Sequence, residues 1–281
     1  MDEPTDYLRR TTPELQGLTP ASDQAPLASI LAAVGKNVSG MFQNFPNTSS
    51  VETIHQEKLR RNGKVNGEEH ETFHYLCLIT NQSWGPGFSE YRANASGGEG
   101  QPRGLQDGFM LTSGFTSASL IFHPAYQAQS TFRYLGREKL NGRDTLVVAF
   151  AQQPAKSKLY GTFKSGDVLM TTFTQGLAWV DAQTYQILRL RTDLLKPLPE
   201  VKLDKQTTDV DYAEVHFKGI DNGFWLPKDV NVTVAWDGKT LRNQHEYSAF
   251  QVFNVAATQK IDKPKPSQQA AGLTPEPESQ P

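Results

Sequence analysis

The sequence is poor in three features that would fix its class at once. Cys77 is the one cysteine, so no disulfide can form within the chain, and it lies too far from the N-terminus to carry a lipid anchor. No apolar run approaches the roughly 18 residues of a membrane-spanning helix. The formal net charge is only −2, so no broad basic field exists to hold a polyanion, and nucleic acid is not an expected partner.

Catalytic motifs are scarce as well. The sequence contains no G-x-S-x-G stretch and no phosphate-binding loop, and its histidines lack the spacing to serine or carboxylates that suggests a triad. A nucleophilic thiol needs an electropositive, partly exposed setting, but the in-phase neighbours of Cys77 are Phe73, Tyr75 and Ile79. We therefore predict a buried Cys77, no catalytic residue and no enzyme.

Residues 70–74 read HETFH, which matches the H-E-x-x-H pattern of zinc proteases. Two imidazoles at this spacing reach one ion only on a helix, because on a strand they lie roughly 13 Å apart. The surrounding β-branched and aromatic residues favour a strand. The longer protease pattern would also need a glycine at Cys77 and a His or Asp at Thr80. We predict no metal and no cofactor, and a zinc-dependent hydrolase is the least favoured alternative.

The two ends differ from the middle of the chain. Residues 1–24 carry three prolines without apolar periodicity, and residues 261–281 carry five prolines and little that could be buried. We predict a flexible N-terminal segment (1–24), one domain (25–260) and a disordered tail (261–281). The start MDEPTDYLRR lacks the basic and apolar regions of a secretory signal, so the chain is either cytoplasmic or a mature form without its leader.

One long helix is predicted near the start of the domain. Apolar residues recur at steps of three and four from residue 25 to residue 45, and Pro46 ends the pattern. They are Leu27, Ile30, Leu31, Val34, Val38, Met41 and Phe45. The stretch 112–127 predicts a shorter helix that ends before Pro124.

From Val51 onward the hydrophobic period is two, which predicts strands. Asn141-Gly142 and Asp237-Gly238 are strong signals for tight hairpin turns. The sum is an α+β protein, mainly antiparallel β, with about nine to eleven strands in one sheet. A twisted sheet of that width curls or closes, and the long helix and the short helices are expected on its concave side.

The inward-facing side chains of this sheet form the candidate ligand site, because they are more numerous than one helix of this length buries. The predicted set is Leu146, Val148, Phe150, Trp179, Leu188, Leu190, Val210, Tyr212 and Trp225. On the YQILRLRTD strand, Leu188 and Leu190 are predicted to face inward, with Ile187 and the arginines on the other face.

Arg189 and Arg191 allow two interpretations. Cross-strand pairing with Asp209 and Asp211 on a solvated face is favoured, because opposite charges on neighbouring strands stabilise a sheet. Alternatively, the two arginines hold an anionic head group.

Four stretches resemble a known family. They are the helix and first strand ASILAAVGKNVSGMFQNFPNTSSVETIHQEKLRRNG, the hairpin YLGREKLNGRDTLVVAFAQ, the pair GLAWVDAQTYQILRLRTDL, and FWLPKDVNVTV with its W-L-P signature. Over about residues 27–255 their order resembles the LolA/LolB-like carriers and the N-terminal domain of RseB-type periplasmic sensors. The resemblance implies an unclosed, strongly curved half-barrel around an apolar cavity, located outside the cytoplasm, which favours the removed leader.

Two functions remain open on these grounds. The first is a non-catalytic, extracytoplasmic binding protein whose apolar cavity accepts a lipid or a lipidated partner. The second is a structural or regulatory module that recognises a protein and fills its cavity with its own helix. They differ in whether side chains of the protein occupy the cavity.

Overall fold

An antiparallel sheet of eleven strands forms the frame of the protein, in the order β1-β5-β6-β9-β10-β11-β12-β13-β2-β3-β4, and it does not close on itself. The structure is a computed structural model, and it describes residues 3–83, 85–93 and 112–252. The strands of this sheet are β1 (Thr19–Pro20), β2 (Thr48–Leu59), β3 (Val65–Gln82), β4 (Gly85–Ala93), β5 (Ser130–Leu140), β6 (Arg143–Gln152), β9 (Thr174–Asp181), β10 (Ile187–Leu194), β11 (Leu203–Val215), β12 (Phe224–Trp236) and β13 (Lys239–Val252). A separate hairpin pairs β7 (Gly161–Ser165) with β8 (Val168–Thr172).

The helices are few and mostly short. They are α1 (Thr5–Thr11), α2 (Leu27–Asn44) and α3 (Pro124–Gln127), with 3-10 helices at Pro13–Leu15, Thr116–Phe122 and Pro199–Val201. We call Thr116–Phe122 the inner 3-10 helix. In the described part of the chain, no helix combines the length and the apolarity that crossing a membrane requires.

The two predicted hairpin turns are confirmed. Asn141 and Gly142 join β5 to β6 with φ values of 50° and 81°, and Asp237 and Gly238 join β12 to β13 with φ values of 49° and 70°. Two successive positive φ values define the type I′ turn, whose twist matches that of the flanking strands. The Asn-Gly and Asp-Gly pairs therefore set the register of four strands.

The main core lies between the inner, concave face of the sheet and the helices. The predicted long helix is confirmed as α2, which buries Ile30, Val34, Val38 and Phe42. The inner 3-10 helix crosses the concave side beneath it: at one end the Phe115 ring lies 4.9 Å from the ring of His245 on β13, and at the other Phe122 packs against β5 and β6. The inner face of the sheet is thus covered by the chain's own helices.

A second, smaller core lies on the outer face. The sequence predicts a loosely ordered segment 1–24, but Leu15 is 0% exposed and Leu18 is 2% exposed, and both pack there against β5, β6 and β9. β1 also pairs with β5 at Gly136, where a Cβ would lie 2.0 Å from the Thr19 carbonyl oxygen. Two leucines without a helical period thus pack on an apolar surface of the sheet.

The predicted fold class is confirmed as a mainly antiparallel α+β half-barrel that stays unclosed between β1 and β4. The described residues also include the β7–β8 hairpin, which stands outside the main sheet. The predicted tail 261–281 lies outside the described residues.

Candidate functional site

Most of the apolar side chains proposed from the sequence do meet on the inner face. Leu146, Val148 and Phe150 of β6 belong to the main core with Leu190 and Val210, and Tyr212 packs against this core. Their strands alternate in and out with a period of two, so every second residue reaches the same face.

Three proposed residues lie elsewhere. Trp179 is buried on the outer face with Leu15, and its indole N–H donates to the Glu138 carboxylate at 2.9 Å. Leu188 is buried but belongs to neither core. The cause is a register shift between Ile187 and Arg189, which turns Ile187 into the main core beside Leu190.

The third is Trp225, which is half-buried, with the Arg143 guanidinium 5.5 Å from the centre of its ring. Its neighbours Phe224 and Leu226 both belong to the main core. Because neighbouring residues on a strand point to opposite faces, Trp225 does not line the concave interior with them.

The two arginines lie on the outer face, away from the apolar interior. Arg189 donates from Nε and Nη2 to the Asp211 carboxylate at 2.6 and 3.0 Å, as the favoured pairing predicts. Arg191 stands opposite Asp209 in the register but binds Glu14 at 2.7 Å and Asp193 at 3.1 Å. Each guanidinium is therefore engaged by carboxylates of the protein itself.

One small pocket lies among the described residues of the concave interior. A pocket of about 20 Å³ lies beside the start of the inner 3-10 helix at Thr116. This volume suits about one water molecule. Its lining combines aromatic and aliphatic rings and chains with a few hydroxyl groups and one thiol: Phe45, Thr48, Ser50, Tyr75, Cys77, Thr116, Leu226, Pro227, Tyr247 and Phe250.

Beside this pocket lies an inner polar cluster formed by Glu52, Glu90, Arg92, His245 and Tyr247, from β2, β4 and β13. The Glu52 carboxylate accepts from Arg92 Nε at 2.5 Å and Nη2 at 2.7 Å, and from the Tyr247 hydroxyl at 2.7 Å. It also lies 2.9 Å from His245 Nδ1. The side chains of Glu52 and His245 are 0% exposed, so this carboxylate has exchanged water for four protein contacts.

Electrostatics fix the charge states in the cluster. Burial alone would raise the pKa of Glu52, but hydrogen bonds and charges from Arg92 and His245 lower that pKa to about 2. Burial lowers the pKa of His245, and the neighbouring Glu52 carboxylate opposes this shift. His245 donates from Nδ1 to Glu52, and its Nε2 lies 3.0 Å from the Thr112 hydroxyl.

Glu90 is the less satisfied acid of the cluster. Its Oε2 accepts from the Gly114 amide at 2.6 Å, while its buried Oε1 has no hydrogen-bond partner among the described residues. Burial raises the pKa of Glu90. Burial, followed by the charge of Glu90, also raises the pKa of both Tyr75 and Tyr212. The buried Tyr212 hydroxyl has no hydrogen-bond partner among the described residues.

The cluster anchors the chain where it enters the inner 3-10 helix. The Thr112 carbonyl oxygen accepts from Arg92 Nη2 at 2.9 Å, and the Thr112 hydroxyl is hydrogen-bonded to His245. The Gly114 amide donates to Glu90. Three hydrogen bonds from the sheet thus hold residues 112–114.

The H-E-x-x-H stretch lies on β3, as predicted. In the register, His70 stands opposite His55 and His74 stands opposite Val51. Cys77, on the same strand, is 3% exposed, and burial raises the pKa of its thiol, which confirms a buried cysteine.

Sequence reasoning missed the inner polar cluster. A signal was present, because Glu52 and Ile54 share one phase of β2, and His245 and Tyr247 share the inward phase of β13. Charged residues in a phase that otherwise buries apolar side chains are the pattern to look for.

No family model matches the chain, and no curated relative matches it. Among solved structures it is similar to a DUF1329 family protein from Desulfovibrio piger, with a TM-score of 0.42 and 12% identity over 82% of this chain and 94% of that one. It is also similar to a putative outer membrane lipoprotein-sorting protein domain from Vibrio parahaemolyticus (TM-score 0.42, 13% identity, 83% and 94% covered). A LolA superfamily protein from Nitrosomonas europaea shows a TM-score of 0.37 and 12% identity, with 81% and 94% covered. At these TM-scores the three likenesses carry no conclusion about ligand or location.

Proposed function

We propose that the protein is a non-catalytic binding protein whose concave inner face takes an apolar ligand such as an acyl chain. The observation that carries this proposal is the kind of helix that covers the inner face. A 3-10 helix of seven residues fills the interior, although such helices rarely exceed three or four residues because their hydrogen bonds are poorly aligned. A segment of this kind costs less to displace than an α-helix of equal length.

The interior under that segment suits an apolar guest. Phe150, Val148 and Leu190 are each 0% exposed in the present packing, and the inner 3-10 helix contributes Leu120, Ile121 and Phe122 against them. An acyl chain that replaced these three side chains would bury the same apolar surface of the sheet. Burial of apolar area is worth about 25 cal/mol per Å², so the exchange is close to neutral in that term.

The polar groups beside the pocket indicate an uncharged head group. The hydroxyls of Tyr75 and Tyr212 carry their protons at neutral pH, as tyrosines ordinarily do, and burial raises both pKa values further, so they are donors for an oxygen of the ligand. Burial in the same surroundings raises the pKa of Glu90, and surroundings that disfavour a carboxylate of the protein also disfavour an anionic ligand. An ester or amide carbonyl fits these donors better than a free carboxylate, whereas Arg189 and Arg191 face away on the outer side.

The strand motifs that resemble LolA/LolB-like carriers support the same proposal and a location outside the cytoplasm. A pocket of about 20 Å³ has no room for an acyl chain, so binding requires the inner 3-10 helix to move. The apparent affinity is then the intrinsic affinity reduced by the fraction of molecules in which this helix is displaced.

The filled interior also supports the alternative function, a module that recognises a protein through its surface while its own helices keep the cavity closed. The two proposals differ in one respect: only the first requires the interior to open.

A binding titration separates them. Delipidated, folded protein is titrated with a fluorescent acyl ester and, for comparison, with the matching fatty acid, and we expect saturable binding that favours the ester. Tyr212→Phe should weaken ester binding, and Phe122→Ala should strengthen it by loosening the inner 3-10 helix. Arg189→Ala is the control from the outer face and should leave both affinities unchanged.

Circular dichroism and the thermal midpoint show that each variant is folded before it is titrated. Absence of saturable binding by any acylated probe would transfer support to the protein-recognition module. Equal weakening by Arg189→Ala and Tyr212→Phe would place the ligand elsewhere.

A further inference from the structure

The outer surface of β2 and β3 carries a cross-strand histidine pair that neither function uses. His55 and His70 stand directly opposite each other in the register, and their rings stack with centroids 4.1 Å apart and planes 8° apart. Glu68 precedes His70 by two residues on β3, so its side chain emerges on the same face. One ligand atom from each of the three side chains lies within 4.8 Å of the other two.

The hydrogen bonds around His55 leave one ring nitrogen without a partner. Gln244 donates from Nε2 to the Asn231 side-chain oxygen at 3.3 Å, so its Oε1 faces His55 Nδ1, also at 3.3 Å. This assigns the proton of the neutral imidazole to Nδ1 and a lone pair to Nε2. His55 Nε2 is buried and has no hydrogen-bond partner among the described residues.

That lone pair faces a negative charge. The Glu68 Oε2 atom lies 3.5 Å from His55 Nε2, which is beyond a good hydrogen bond. The contact is favourable when a positive charge lies between the two atoms, either a proton on Nε2 or a metal ion. An amide oxygen on the second nitrogen is also the outer partner that metal-ligating histidines require, because it fixes the tautomer and the ring orientation.

The spacing matches a tetrahedral metal ion. Bonds of about 2.0–2.1 Å place the ligand atoms of a tetrahedral zinc site about 3.3 Å apart. The contact between His55 and Glu68 already has this length within a few tenths of an ångström. His70 and Glu68 are exposed, so small side-chain rotations can bring the remaining separations into range.

We propose that His55, His70 and Glu68 bind a divalent metal ion that favours imidazole, of the Zn²⁺ class, with water completing the coordination. The site joins neighbouring strands and is distinct from the H-E-x-x-H pattern, because His74 lies four residues along β3 and cannot reach the same ion. Imidazole and carboxylate together suit zinc, copper and nickel better than calcium or magnesium.

The test is a calorimetric titration of tag-free, chelator-treated full-length protein with ZnCl₂. We expect one equivalent to bind. His70→Ala and Glu68→Gln should each weaken binding at least tenfold, and Gln244→Ala should weaken it about tenfold through the loss of the outer partner. His74→Ala is the matched control, because this histidine is exposed on the same strand and should leave the affinity unchanged.

Zinc should also raise the thermal midpoint of the original protein and of His74→Ala, but not that of His70→Ala, because only a native site gains free energy from the ion. His70 and His74 are both exposed, so both variants remain folded and can be compared directly. A protein that binds no zinc, or whose binding survives His70→Ala, overturns the proposal. So does a His74→Ala variant that loses zinc as His70→Ala does.

Discussion

The two faces of the eleven-stranded sheet hold their charges in opposite ways. On the inner face, Glu52 and Arg92 have side-chain exposures of 0% and 8%, and four protein contacts satisfy the carboxylate. On the outer face, Arg189 and Asp211 keep exposures of 25% and 32%, so water still solvates both. We therefore expect the same Arg–carboxylate pair to contribute much more to stability on the inner face than on the outer face.

The cost of desolvation explains this difference. A buried ion pair has given up its hydration, so removing one partner leaves an uncompensated charge in a medium of low polarity. A half-exposed pair that loses one partner is rehydrated. Five measurements test this contrast and the two faces that it compares.

The largest effect is expected from Glu52→Gln. Arg92 would remain buried opposite a neutral amide, and the loss of a single partner of a buried pair costs about 3–5 kcal/mol. Urea unfolding followed by circular dichroism measures the change in the free energy of unfolding. A loss no larger than that of an exposed pair would show that water enters the inner polar cluster.

Leu15→Ala tests the outer core. Leu15 is 0% exposed, and truncating a buried leucine costs about 2–5 kcal/mol, so this change should rank second. The control is Tyr7→Ala in α1, because Tyr7 is 45% exposed and should cost little. If both variants unfold like the original protein, the N-terminal segment does not contribute to stability.

Acid should weaken the inner face in a defined window. The folded pKa of Glu52 is lowered from 4.5 to about 2, so its stabilisation is fully present above about pH 4.5 and is lost as the pH falls toward 2. The shift corresponds to roughly 3 kcal/mol, since one pKa unit is worth about 1.4 kcal/mol. Urea midpoints measured across this range should fall steeply, and a flat profile would contradict the assignment.

Glu90 should act with the opposite sign. Because its folded pKa is raised, the native state takes up this proton first, and stability rises as the pH falls toward the ordinary glutamate range. Glu90→Gln should therefore remove the rise above about pH 4.5 and leave the fall below it. If the stability of the variant still rises and then falls as the pH is lowered, another group causes the rise.

The smallest effect belongs to Asp211→Asn. Its partner Arg189 stays within reach of water, so we expect a loss below about 1 kcal/mol in the same urea experiment. A loss as large as that of Glu52→Gln would mean that the N-terminal segment seals this surface and would remove the contrast between the faces.

The features that the sequence predicted correctly are those that neighbouring residues decide. Asn141-Gly142 imposes a type I′ turn wherever it occurs between strands, and the three-to-four spacing of α2 fixes the buried side of that helix whatever lies opposite. The arginine–aspartate register of β10 and β11 follows from alternation alone, and Arg189 pairs with Asp211 as predicted.

The errors arise where distant contacts override a local pattern. One register shift in β10 places Ile187 in the main core in the place predicted for Leu188. No residue of that strand predicts the shift. Trp179 faces the outer side because Leu15 and Leu18 cover it, although those two leucines stand far away in a segment without periodicity. The inner polar cluster unites three strands from opposite ends of the chain, so the strand phase of its charged residues indicates that they are buried but does not identify their partners.

The buried Cys77 thiol can report the motion that the proposed ligand entry requires. Cys77 borders the small pocket at the start of the inner 3-10 helix, and its raised pKa keeps the thiol unreactive while that helix is in place. Since no second cysteine exists in the chain, the rate at which a thiol reagent modifies the native protein reports the opening of one defined place. An acylated ligand should change the rate of Cys77 modification, because it either keeps the interior open or closes it again. The experiment needs no introduced label.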